Sequence, residues 1–106
     1  MGVDETLLDE IVRRILNVSR PDKIILFGSA ATGQMTKDSD IDLLIVEPDP
    51  PNTHEHRVAL RSAVGDIGYS VDLLVIRTER FEETKDLVGG IAFPANKYGR
   101  VLYEGA

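Results

Sequence analysis

The chain reads as an α/β fold of the α+β type, a small mixed β-sheet flanked by helices. Three observations predict it. Lys23–Phe27, Ile41–Glu47 and Val71–Ile76 are short apolar runs bounded by Gly, Pro, Asp and Ser, the pattern of strands. The segments around them carry apolar residues at helical spacing. The stretch between the second and third runs is long enough to hold a helix, which a parallel crossover needs and a hairpin does not.

Each element has its own reason. Leu7, Leu8, Ile11, Val12, Ile15 and Leu16 recur on one helical face, so residues 5–18 form an amphipathic helix, ended by Ser19-Arg20-Pro21-Asp22 because proline cannot continue it. Lys23–Phe27 is a short buried strand. Ser29–Gly33 makes one or two helical turns, with Gly33 as the stop. Gln34–Ser39 is a polar loop, and Ile41–Glu47 is the second strand. Pro48, Pro50 and Pro51 force a turn. Asn52 or Thr53 caps a helix that runs to Ile67, with Val58, Ala59, Leu60, Ala63, Val64 and Ile67 inward and Gly68 as its end. Val71–Ile76 is the third strand. Thr78 caps a helix through about residue 88, with Phe81, Leu87 and Val88 inward and Gly89-Gly90 breaking it. Residues 91–98 form a last helical turn, and Arg100–Tyr103 an extended end. No repeat or linker interrupts residues 1–106, which are expected to form one domain.

Bulk properties exclude several classes. The net charge is −6, so nothing pulls the chain as a whole toward nucleic acid or an anionic membrane. Cysteine is absent, which excludes disulfides and thiolate metal sites and suits a cytoplasmic protein. No secretory signal or membrane-length apolar run is present. Met1-Gly2-Val3-Asp4-Glu5-Thr6 fits the loose N-myristoylation pattern. One acyl chain beside two acids anchors poorly, and we read the match as chance.

The informative stretch is Ile24–Val46. A buried strand ends in Gly28-Ser29, and Asp40-Ile41-Asp42 opens the next. Side chains two apart on a strand share a face, so Asp40 and Asp42 point the same way. Paired carboxylates repel unless a cation lies between them, and hard divalent cations take oxygen ligands. A Gly-Ser turn beside such a pair suits Mg²⁺ and a triphosphate held together. For these groups to meet, strands one and two run antiparallel. A right-handed parallel crossover then starts strand three at the same edge, with Asp72 as its second residue. Ser29, Asp40, Asp42 and Asp72 thus converge on one sheet edge.

Other features read more plainly. An acidic cluster is ordinarily a solvated loop, which suits Asp38, Glu47 and Asp49. His54 and His56 face different directions from a helix start and are expected to be solvated. Gly28-x₄-Gly33 imitates a phosphate loop, but Gln34-Met35 stand where Lys and Ser or Thr are needed. Phe93 and Tyr98 have the character of core or interface residues.

Phe27-Gly28-Ser29, Asp40-Ile41-Asp42 and Asp72, together with the closing Gly99-Arg100-Val101-Leu102-Tyr103, resemble the minimal nucleotidyltransferase branch of the DNA polymerase β-like superfamily, over nearly the whole chain. The resemblance implies transfer of a nucleoside monophosphate, AMP from ATP, to a hydroxyl acceptor. Asp40, Asp42 and Asp72 would be catalytic and would hold a pair of Mg²⁺ ions. Gly28 and Ser29 would bind the nucleotide. The family runs basic residues through and after the Gly-Ser turn, whereas this chain has Ala30 and Thr32 there. Lys37, Lys97 and Arg100 are the candidate substitutes. The resemblance further implies a HEPN-type partner protein, with this chain as the antitoxin that modifies it. The alternative is a catalytically weak or inactive module that neutralises a partner by contact.

Overall fold

The computed structural model describes residues 5–28, 40–49, 54–65 and 67–105. Among them run α1 (Glu5–Leu16), β1 (Lys23–Phe27), β2 (Ile41–Glu47), α2 (His54–Val64), β3 (Val71–Arg77), α3 (Thr78–Thr84), α4 (Ala92–Tyr98) and β4 (Arg100–Glu104). The proposed turns at Ser29–Gly33, the loop carrying Lys37 and Asp38, the caps Asn52 and Thr53, and the N-terminal Gly2 lie outside the described residues.

The strands form one sheet in the order β3-β2-β1-β4. β1 is antiparallel to both β2 and β4, and β2 is parallel to β3. The expected directions of the first three strands hold. The pairing of β4 with β1 was not legible in the sequence, where residues 100–103 read only as an extended end.

Burial explains the strand patterns. α1 and α2 cover one face, where Leu8, Ile11, Ile15, Leu60 and Val64 pack on Ile24, Leu26, Ile41, Leu43 and Ile45. α3 and α4 cover the other, where Phe81, Ala92 and Ala95 pack on Ile25, Leu44 and Val46. A strand covered on both faces carries an unbroken apolar run, as Leu43-Leu44-Ile45-Val46 does, whereas outermost β3 alternates in exposure. Burying each such side chain contributes about 1.5–3 kcal/mol. No helix among the described residues is long and apolar enough to cross a membrane.

Gly99 leads α4 into β4 by close approach. A β-carbon there would lie 2.2 Å from the Ala95 carbonyl oxygen and 3.0 Å from that of Leu26. Only glycine lets this corner sit against β1.

Several expectations needed correction. α3 stops at Thr84, before Gly89-Gly90, and Leu87 and Val88 are 59% and 85% exposed. Thr78 does not cap α3. Arg77 holds the cap position, and the Thr78 hydroxyl instead donates to Asp22 Oδ2 at 2.5 Å, tying α3 to the start of β1. Tyr98 is 60% exposed, so it is not a core residue. Glu47, expected in solvent, is 4% exposed. It accepts the Ser19 hydroxyl, and His56 Nε2 lies 2.8 Å from Oε1 and 3.1 Å from Oε2. His56 is therefore not a solvated surface group either. A buried carboxylate persists only where hydrogen bonds replace its lost water, and here two segments supply them: the turn after α1 through Ser19 and the start of α2 through His56.

Candidate active site

The acid edge assembles from strand register. Phe27, the last residue of β1, stands opposite Asp42, and Asp42 stands opposite Asp72 across the parallel pair. Opposed residues share a sheet face, so Asp42 and Asp72 are neighbours on the α3/α4 side. Asp40 lies just before β2 and is exposed, as is Asp72, while Asp42 between them is half-buried. The sheet thus brings Asp40, Asp42 and Asp72 together beside Gly28.

Their electrostatics follow from that arrangement. Burial pushes the Asp42 carboxyl above its ordinary value of 3.8, the charges of Asp72 and Asp40 push it further, and a hydrogen bond with Asp72 adds to both. Among the described residues no group of three or more His, Asp or Glu side chains forms a ready-made metal cage. The donor set is nonetheless all oxygen and all anionic, the chemistry of a hard divalent cation.

Gly28 completes the edge. Its φ is +74°, and a β-carbon would stand 2.5 Å from Asp42 Oδ2. The turn must therefore be glycine on both counts, conformation and space. Ser29 lies outside the described residues.

The candidate cations divide. Arg100 is at the acid end of the sheet, opposite Leu26, but its guanidinium grips Glu5 with contacts of 2.5 and 2.7 Å. Lys97, on the last turn of α4, lies 5.6 Å from the Phe93 ring centroid and 5.5 Å from that of Tyr98. Lys37 is not among the described residues.

Hollows of about 390 and 270 Å³ flank Ser19, at the other end of the sheet. The Ser19–Glu47–His56 cluster was missed by the sequence reading, although one signal was there. Glu47 shares strand parity with the inward Leu43 and Ile45.

Two solved structures share the fold. A toxin–antitoxin crystal structure with AMP-PNP matches with a TM-score of 0.69 at 19% identity, covering 92% of this chain and 73% of the other. A candidate nucleotidyltransferase from Sulfolobus solfataricus matches with a TM-score of 0.58 at 23% identity, covering 93% and 78%. At these identities the likeness is one of fold. A search of curated proteins found no match. Residues 6–95 match the nucleotidyltransferase domain as a family, in agreement with the Gly-Ser and Asp-x-Asp signature and the mixed sheet that presents it. The chain belongs to the nucleotidyltransferase domain family.

Proposed function

We propose that this protein transfers a nucleoside monophosphate, AMP from ATP, to a hydroxyl group of a partner protein, with Mg²⁺ bound at the acid edge. One observation carries the reading: strand register sets Asp42 against Asp72, with Asp40 and Gly28 beside it, so three carboxylates meet at one sheet edge. A site that burdens itself with three acids gains most from a divalent cation. Asp40, Asp42 and Asp72 would hold the metal, which when bound neutralises the triphosphate and acidifies the acceptor hydroxyl.

The chain's own groups divide the remaining work. Gly28, without a side chain, lets backbone and phosphate approach. Ser29 donates its hydroxyl to the β- and γ-phosphates. Asp72, on the outermost strand and exposed, serves the acceptor side and takes the hydroxyl proton. The acceptor oxygen attacks the α-phosphorus, and pyrophosphate leaves with the electrons of the broken bond. The acceptor belongs to a HEPN-type partner in the cytoplasm, with this chain as the antitoxin. The likeness to a toxin–antitoxin structure supports that pairing.

A second reading, a binding module that neutralises its partner by contact, is favoured by two facts. Ala30 and Thr32 replace basic residues after Gly28-Ser29, and Arg100 is engaged by Glu5. Intact-mass analysis of the co-purified partner after incubation with ATP and Mg²⁺ separates the two. A gain of one AMP supports transfer. An unmodified partner that stays bound supports the contact reading and overturns the first.

A further inference from the structure

α4 meets the sheet through its smallest residues. Ala92 and Ala95 pack on Ile25, Leu44 and Val46, and Gly99 closes on the Leu26 carbonyl. This is the face on which Asp42 and Asp72 stand, since Leu44 and Val46 share strand parity with Asp42. Arg100, the first residue of β4, is opposite Leu26, and Phe27, one residue further along β1, is opposite Asp42. The last turn of α4 is thus fixed at the acid end of the sheet and on the acid face. Only β1 separates β4 from β2, so the start of β4 is two strand spacings of about 4.8 Å from the strand of Asp42.

That turn carries a cation held by rings. Tyr98 is 60% exposed and Phe93 half-buried. Lys97 Nζ lies over both, 5.6 Å from the Phe93 centroid and 5.5 Å from that of Tyr98. Among the described residues no carboxylate pairs with Lys97, whereas Arg77, Lys85 and Arg100 each grip one. Aromatic faces hold an ammonium in place and leave its charge available.

A nucleoside triphosphate presents a flat base and a chain of anionic oxygens. The acid edge offers neither a ring for the base nor a positive side chain for the phosphates. Ala30 and Thr32 add no charge, and Arg100 is engaged by Glu5. Phe93, Lys97 and Tyr98 supply both missing groups within one helical turn and a half. We propose that they form a nucleotide subsite on α4, where the base stacks on the Tyr98 ring and Lys97 Nζ donates to a phosphate oxygen. The inference rests on the nucleotide chemistry proposed above and adds to it the side of the site that holds the base.

Calorimetry with two probes, ATP and inorganic tripolyphosphate, each with Mg²⁺, tests it. Tyr98→Ala should weaken ATP about tenfold, the range of one base–aromatic stack, and leave tripolyphosphate unchanged. Tyr98→Phe keeps the ring and should bind ATP as wild type does. Lys97→Gln should weaken both probes alike, again about tenfold. A Tyr98→Ala protein that binds ATP as tightly as wild type overturns the base subsite, and so does one that loses both probes equally. A Lys97→Gln protein that binds both probes normally overturns the phosphate contact. If Tyr98→Ala keeps its ATP affinity but releases a co-purified protein, the ring belongs to a protein interface and the subsite is overturned. Wild type that binds neither probe overturns the nucleotide reading itself, a result distinct from normal wild-type binding with silent variants.

Discussion

Gly28 and Asp42 are so close that a β-carbon on the glycine would stand 2.5 Å from the aspartate's Oδ2. The backbone turn that ends β1 and the central acid of the edge therefore leave no room between them for a side chain at position 28. The left-handed φ of +74° at Gly28 carries the chain past the carboxylate.

Gly28→Ala should destabilise the fold by about 1–2 kcal/mol from the left-handed conformation alone. It should also weaken Mg²⁺-dependent ATP binding by displacing Asp42. Thermal melts and calorimetric titrations measure both. Combining it with Asp42→Ala should recover the part of the loss due to the clash and leave the conformational part. Full additivity of the two substitutions would show that glycine and carboxylate do not compete for space.

Stability should fall as pH rises through the Asp42 titration. The folded-state value lies above 3.8, so the folded chain binds more protons there than the unfolded chain, and its stability declines with rising pH. The loss is absent below 3.8 and complete above the raised folded value. Asp42→Asn should therefore be more stable than wild type at neutral pH in EDTA, with the gap closing on acidification. Chemical denaturation across pH, read as the difference between the two proteins, is the check. A gap that stays constant would deny the repulsion.

The acids should separate by role. Asp40→Asn and Asp42→Asn should remove most of the Mg²⁺-dependent ATP affinity and the Mg²⁺-dependent rise in melting temperature. Asp72→Asn should keep much of that affinity yet lose AMP transfer to the partner. Calorimetry with Mg²⁺ and with EDTA tests the first claim, and label from α-phosphate-labelled ATP tests the second. An Asp72→Asn protein that binds no ATP would reverse the division proposed here.

Glu47→Ala should cost on the order of 3 kcal/mol, because Ser19 and His56 lose their buried acceptor. ATP affinity should hardly change. Glu47 and Asp42 are at opposite ends of β2, about 17 Å apart at the rise of a strand. Urea denaturation gives the first number and calorimetry the second. Parallel losses of stability and affinity would show that the cluster supports the acid edge.

The sequence by itself determined the strands and the acid pattern. β1 and β2 have the bounds read from the sequence, because strands covered on both faces carry unbroken apolar runs, Ile24–Phe27 and Leu43–Val46, at their centres. Asp40 and Asp42 were legible because period two is local, and Asp72 because a crossover of that length forces a parallel strand. Only tertiary structure decided what depends on distant partners. Leu87 and Val88 follow a helical pattern, yet α3 ends before them, since a short helix holds only as far as Phe81 packs. Glu47 looks solvated until the turn after α1 and the start of α2 close over it with Ser19 and His56. Arg100 was a candidate phosphate cation until α1 delivered Glu5 to it across 95 residues of chain. Local periodicity specifies elements. Which polar group finds a partner is set by segments remote in sequence, and burial then makes that pairing obligatory.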